Sequence, residues 1–173
     1  NKGLKLKNIN IIKRKKSLCN NSASANSVIL DFVKSNNLNR SKDNIIIYLQ
    51  PTSPFRSEFM INEAIDCYKK NPNSSIIGFA ETHHHPGWTF SKCSSGMKPF
   101  LADINLTAPS QELEDAYIVS GSMYLASTKN IKNFQTYFIK SIIPVMCKSK
   151  IETVDIDTID DFIYAEYLLS VNS

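Results

Sequence analysis

The chain has 173 residues, 42% of them hydrophobic and 21% charged, with a formal net charge of +4 at pH 7. These values suit one globular domain with a core of its own and exclude a disordered tail. The positive surplus is mostly lysine, since arginine occurs only at Arg14, Arg40 and Arg56; no nucleic-acid partner is expected without arginine forks and interleaved aromatics.

In chain order, residues 8–13 (NINIIK) read as a short strand. SASANSVILDFVKSNN follows as a helix, with Val28, Ile29, Phe32 and Val33 at helical spacing and serines free to cap it. IIIYL at 45–49 has the continuous apolar character of a strand buried on both faces. SEFMINEAIDCYKKNP carries Met60, Ile61, Ala64, Ile65 and Tyr68 on one helical stripe, with Ser57 as cap, and stops at Asn-Pro. SSIIGFAE is again a buried strand, so β-α-β-α-β order predicts a parallel sheet with right-handed crossovers. Residues 83–118 have no clear period, as expected of a lid, binding loop or interaction arm. Then come a strand (YIVSGSMYLAS), a short helix (TKNIKNFQTYF), a strand (SIIPVMC), a strand (TVDID) and a closing helix (IDDFIYAEYLL). The whole is expected to be a single domain over residues 1–173.

Cys19, Cys67, Cys93 and Cys147 lie far apart with no C-x-x-C pair, which excludes a zinc knuckle or disulfide scaffold and favours a reducing, cytoplasmic setting. No apolar run approaches the ~20 residues of a membrane helix, so no membrane partner is expected. The adjacent histidines His83, His84 and His85 cannot all face one ion and read as an exposed loop. Trp88 reads as a lid or packing residue, Cys67 as core, and the lysine cluster at 13–16 as a solvated loop.

Ligands of open α/β sheets bind beyond the carboxyl ends of the strands. Two segments at such ends carry chemistry. In VDIDT, Asp155 and Asp157 are two apart in an extended segment and leave one face; like-facing carboxylates suit a hard cation such as Mg2+. The other reading gives one aspartate to solvent and the other to helix capping, with Thr158 also available as cap. In LQPTSPFR, two prolines fix the backbone and present Gln50, whose amide can donate and accept. That segment reads equally well as a sugar or base reader and as a stiff strand-to-helix turn.

LQPTSPFR closely resembles the LQPTSPLR signature of the acylneuraminate cytidylyltransferases, the CMP-sialic acid synthetase family, differing only by Phe55 for leucine. RKKSLCNNSAS at 14–24 is similar to that family's R-P-x-E-L-A-x-D-x-A-S. PSQELEDAYIVSGSMY at 109–124 resembles P-R-Q-x-L-P-x-A-Y-x-x-N-G-A-I-Y, and VDIDTIDDFIYAE at 154–166 resembles I-D-I-D-T-x-x-D-x-x-x-A-E. The resemblance covers about Arg14 to Leu169. It implies a doubly wound, mostly parallel α/β sheet with helices on both faces (nucleotidyltransferase, Rossmann-like) and a homodimer with an arm at about 83–118. It implies transfer of CMP from CTP to a sialic-acid-type nonulosonic acid with release of pyrophosphate. Asp155 and Asp157 would hold Mg2+ as the catalytic carboxylates. Gln50, Gln111, Ser120, Gly121 and Tyr124 would bind the sugar, and Arg14, Asn21 and Ser24 the nucleotide.

The sequence departs from the family pattern at several points. No A-R-x-x-S-K-x-x-x-x-K-N phosphate loop appears in residues 1–20, which implies an N-terminally truncated member. Asn21 stands for the family's Asp, Ser110 for its Arg and Ser120 for its Asn. Two readings stay open: a cytidylyltransferase, or a non-catalytic homologue that keeps the fold and serves as a folding or dimerisation module.

Overall fold

The computed structural model describes residues 9–20, 23–38, 44–82, 84–102 and 105–171. Its strands are β1 (Ile45–Tyr48), β2 (Ser75–Glu81), β3 (Phe90–Cys93), β4 (Gly96–Pro99), β5 (Tyr117–Ser127) and β6 (Ile142–Met146). Its helices are α1 (Ala25–Ser35), α2 (Glu58–Lys70), α3 (Thr128–Phe134) and α4 (Ile159–Val171). Local sequence explains where the helices start. Ser24, Ser57 and Ser127 each accept a hydrogen bond from the backbone N–H three residues on, capping α1, α2 and α3.

The apolar runs form a central four-stranded sheet in the order β1-β5-β2-β6. β1, β2 and β6 run in one direction. β5 runs against both β1 and β2 and lies between them, so only β2 and β6 form a parallel pair. This corrects the expected mostly parallel sheet to a mixed one. The eleven-residue β5, buried from Ser120 to Ser127 apart from the half-buried Tyr124, occupies the central position between β1 and β2. β6 is an edge strand, which explains how it tolerates Pro144.

Successive strand residues face opposite sides, and both sides are covered. Ile77 and Ala126 pack with Ile29 and Val33 of α1, Ile131 of α3 and Tyr137. Ile76, Met123, Leu125 and Val145 pack with Met60 and Ala64 of α2. Cys67 is partly buried against this second cluster, as expected.

Two expected strands are absent. Residues 9–15 carry no regular structure, and Ile9, Ile11 and Ile12 are exposed; residue 8 lies outside the described residues. TVDID is not a strand either: Lys150–Thr153 form a 3-10 turn that leads into an irregular segment. Glu152 drives this turn, because its buried carboxylate accepts the Lys148 N–H at 2.6 Å. Conversely, the unpatterned region 83–118 contains the β3–β4 hairpin, whose side chains are too exposed to leave an alternating signal.

Candidate functional site: the rim around Gly121

The site begins with an irregularity in β5. Tyr124 pairs with Ile77 and Val119 with Phe79, so residues 120–123 stand opposite the single residue Gly78. Such a bulge bends the strand and re-aims its residues. Gly121 lies within it at φ +74, a left-handed backbone that glycine adopts without strain. The bulge carries Gly121 towards the loop that leaves β1. A Cβ added there would meet Gln50 Oε1 at 2.8 Å, Ser53 Oγ at 3.3 Å and Asp155 Oδ2 at 3.6 Å. Three oxygens, two from the loop after β1 and one from the distant segment at Asp155, therefore lie around one bare backbone position.

Each oxygen is held by local structure. The loop after β1 turns on a hydrogen bond from Ser53 N–H to the Gln50 carbonyl. Ser53 is buried, and its hydroxyl donates to Asp155 Oδ1 at 3.3 Å. The segment bearing Asp155 is docked by Ile156 N–H donating to the Thr52 carbonyl at 2.8 Å. Arg56 binds the assembly from beneath: its Nε donates to the Ser122 carbonyl at 3.0 Å, and its Nη2 donates to the Gln50 carbonyl. Burial pushes the Arg56 guanidinium below its ordinary range.

A cavity of about 150 Å3 opens beside these oxygens, lined by Ser24, Ala25, Asn26, Tyr48, Gln50, Tyr124, Tyr137 and Phe138. Its walls are aromatic: the Tyr124 ring lies 5.9 Å from that of Tyr48, 5.7 Å from Tyr137 and 6.1 Å from Phe138. Burial raises the Tyr124 phenol, and the neighbouring Tyr48 and Asp155 add to the effect. Burial also raises Tyr137, so both phenols stay protonated at neutral pH.

Of the residues singled out in the sequence, Gln50, Gly121 and Asp155 meet at the rim, while Tyr124 and Ser24 share the adjoining cavity. Arg14 lines a different groove of about 500 Å3 with Lys13, Lys15 and α1 residues; Tyr48 borders both spaces. Asp157, exposed like Asp155, lies in the turn before α4. Its backbone N–H donates to Asp161, which also accepts from Thr158, while the Thr158 hydroxyl accepts the Asp161 N–H at 3.3 Å and caps α4.

Ser120 is turned away from the rim. Its hydroxyl lies 2.7 Å from that of Ser122, and both would crowd a Cβ at Gly78. Gln111 is exposed in the short turn Ser110–Glu112, apart from the cavity's lining. Asn21 lies outside the described residues. Ser53 and Arg56 were given no role from sequence, although both fall inside LQPTSPFR.

In the histidine tract, His85 is engaged by backbone groups. His85 Nδ1 accepts the Gly87 N–H at 3.0 Å, so Nε2 is the nitrogen that donates to the Glu114 carbonyl at 2.9 Å. Trp88 packs edge-on to His85 and borders a separate cavity with Glu81, Glu114 and Asp115. Among the described residues no three or more His, Cys, Asp or Glu side chains gather, and no helix is long and apolar enough to cross a membrane.

The arrangement at Gly121 offers hard oxygen donors, one of them anionic, beside an aromatic cavity. That donor set fits Mg2+, which needs one or two carboxylates and takes its remaining ligands from water and phosphate.

The chain is 30% identical over 130 residues to a CMP-N,N'-diacetyllegionaminic acid synthase of Legionella pneumophila, covering 73% of this chain and 54% of that protein. It is 23% identical over 156 residues to an N-acylneuraminate cytidylyltransferase of Streptococcus agalactiae, covering 90% of this chain and 37% of the relative. No family model matches. The chain thus spans about half the length, or less, of these curated relatives. With four motifs in register and these relatives, the chain belongs to the acylneuraminate cytidylyltransferase family.

Proposed function

We propose that the chain forms the sugar and cation side of a cytidylyltransferase site. The anomeric hydroxyl of a sialic-acid-type nonulosonate attacks the α-phosphate of CTP. A sugar O–P bond forms, the bond to the β-phosphate oxygen breaks, pyrophosphate leaves, and the hydroxyl proton passes to base or water. The observation that carries this reading is the convergence of Gln50 Oε1, Ser53 Oγ and Asp155 Oδ2 on Gly121.

Phosphoryl transfer depends on positioning and charge neutralisation more than on covalent chemistry. Asp155, with Asp157 from the following turn, would hold Mg2+, which supplies charge neutralisation at the phosphate oxygens. Ser53, donating to one Asp155 oxygen, leaves the other free to ligate. Gln50 would lend its amide oxygen to the cation's donor set and orient the sugar through its amide N–H groups, and the aromatic wall of Tyr48, Tyr124 and Tyr137 would shield the sugar from water. Ser24, at the start of α1, belongs to the nucleotide side; Arg14 could approach that side only from the neighbouring groove.

A homodimer is part of the same proposal. Phe90, Met97, Phe100 and Leu101 are exposed on and after the β3–β4 hairpin, and a second copy would cover them. A cytoplasmic setting is consistent with the free cysteines.

One observation favours a second, non-catalytic reading. No lysine or arginine lines the Gln50 cavity among the described residues, and Arg56 is committed to two carbonyls. A triphosphate would lack a cationic grip there. Titration calorimetry with CTP and Mg2+, followed by a pyrophosphate-release assay with N-acetylneuraminate, separates the two. CTP binding with release, both lost in Asp155→Asn, supports the enzyme; binding without release, or no heat at all, supports the non-catalytic homologue.

A further inference from the structure

Arg56 stands out because the described ion pairs do not include it, although it is partly buried. Its described partners are the carbonyls of Gln50 and Ser122. Those carbonyls belong to the two stretches that must meet for the rim to exist: the loop after β1 and the β5 bulge. Ser122 directly follows Gly121, and Gln50 supplies the oxygen nearest to it. Arg56 also immediately precedes Ser57, the cap of α2, so its own backbone is anchored to the core through Met60. A planar guanidinium can span two acceptors in fixed geometry, which an ammonium cannot.

We propose that Arg56 is a positioning residue for the oxygen-donor set, holding Gln50 and the bulge at the separation a divalent cation needs. The inference rests on the cation reading given above. Arg56 ligates nothing itself; it acts through the two carbonyls.

The proposal makes a prediction of sign. If Arg56 were merely a nearby positive charge, removing it would tighten cation binding, because like charges repel. As a positioning residue its loss must weaken binding, by the roughly 10- to 100-fold typical of groups that orient metal ligands. The test titrates Mn2+ into the full chain, followed by electron paramagnetic resonance, for wild type, Arg56→Met, Arg56→Lys and Asp155→Asn. Amide hydrogen exchange at residues 119–124 is measured on the metal-free proteins in parallel.

The expected result is weaker Mn2+ binding in Arg56→Met, an intermediate loss in Arg56→Lys despite its retained charge, and faster exchange across the bulge in both. Tighter or unchanged Mn2+ binding in Arg56→Met overturns the proposal. If wild type binds no Mn2+, or Asp155→Asn binds as well as wild type, the cation reading fails instead. The exchange data then decide on Arg56 alone, and unaltered protection at 119–124 overturns its positioning role.

Discussion

Replacing Gly121 by alanine tests the rim through one methyl group. The backbone there, at φ +74, strains any L side chain, and the new Cβ would sit 2.8 Å from Gln50 Oε1 and 3.3 Å from Ser53 Oγ. Strain at such a position costs about 1–3 kcal/mol. In a chain of this size each kcal/mol lowers Tm by roughly 2–4 °C, so a fall of roughly 2–12 °C is expected. The Gln50 amide is the far end of a flexible side chain and will rotate away, so the functional loss should exceed the loss in stability. Mn2+ affinity should fall roughly tenfold or more, as when a ligand's orientation is lost. Gly96→Ala is the control: it carries the same kind of strain at φ +124, but no atom lies within 4 Å of its Cβ. Thermal melts and Mn2+ titrations on both variants check the argument. If Gly121→Ala binds Mn2+ like Gly96→Ala, the crowding at Gln50 has no functional consequence and the reasoning is refuted.

Other perturbations follow from the same geometry. Tyr137→Phe should stabilise the chain by about 1 kcal/mol, because the Tyr137 hydroxyl is buried with no hydrogen-bond partner among the described residues; a lower melting temperature would contradict this. Asp155→Asn should weaken Mn2+ binding more than Asp157→Asn, since only Asp155 is tied to Ser53 and the rim; equal losses would argue against that asymmetry. Hydrogen bonds from Thr158 and Asp157 hold the Asp161 carboxyl below its ordinary value. Its contribution is therefore complete above the unfolded aspartate value near ~3.9 and is lost as pH falls through the lower folded value. Asp161→Asn should flatten the dependence of Tm on pH in that acid window, and an unchanged slope would refute the assignment. Placing aspartate at both Met97 and Phe100 should give a monomer by light scattering if the hairpin carries the dimer contact, whereas an unaltered mass would exclude that surface.

How much of this was legible in the sequence differs from element to element. The apolar stripe of Met60 and Ala64 and the cap at Ser57 specify α2 locally, because helix periodicity and capping act within a few residues. Gln50 and Asp155 were marked by the motifs that carry them; Gln50 follows β1 as a strand-end residue, whereas Asp155 follows a 3-10 turn and not a strand. The insertion of β5 between β1 and β2 was not legible, since pairing across about eighty residues of chain leaves no local pattern. The bulge left one signal, a glycine inside an apolar strand, which ordinarily marks a bulge or a close approach. Ser53 and Arg56 could not be assigned from spacing, because their roles depend on a carboxylate and a carbonyl far away in sequence. The strand expected at TVDID shows the opposite case: the two-residue spacing of Asp155 and Asp157 suggests a shared strand face, but the segment is an irregular turn and the alternation does not apply.

The central claim is that Gln50, Ser53 and Asp155 form one oxygen-donor site at Gly121. Paramagnetic broadening by substoichiometric Mn2+ in an amide-resolved NMR spectrum locates such a site directly. The Gly121 amide and the Gln50 side-chain amide should broaden first, and Asp155→Asn should abolish the effect. Broadening centred instead on Glu81, Glu114 and Asp115, or spread evenly over the chain's carboxylates, would contradict the account.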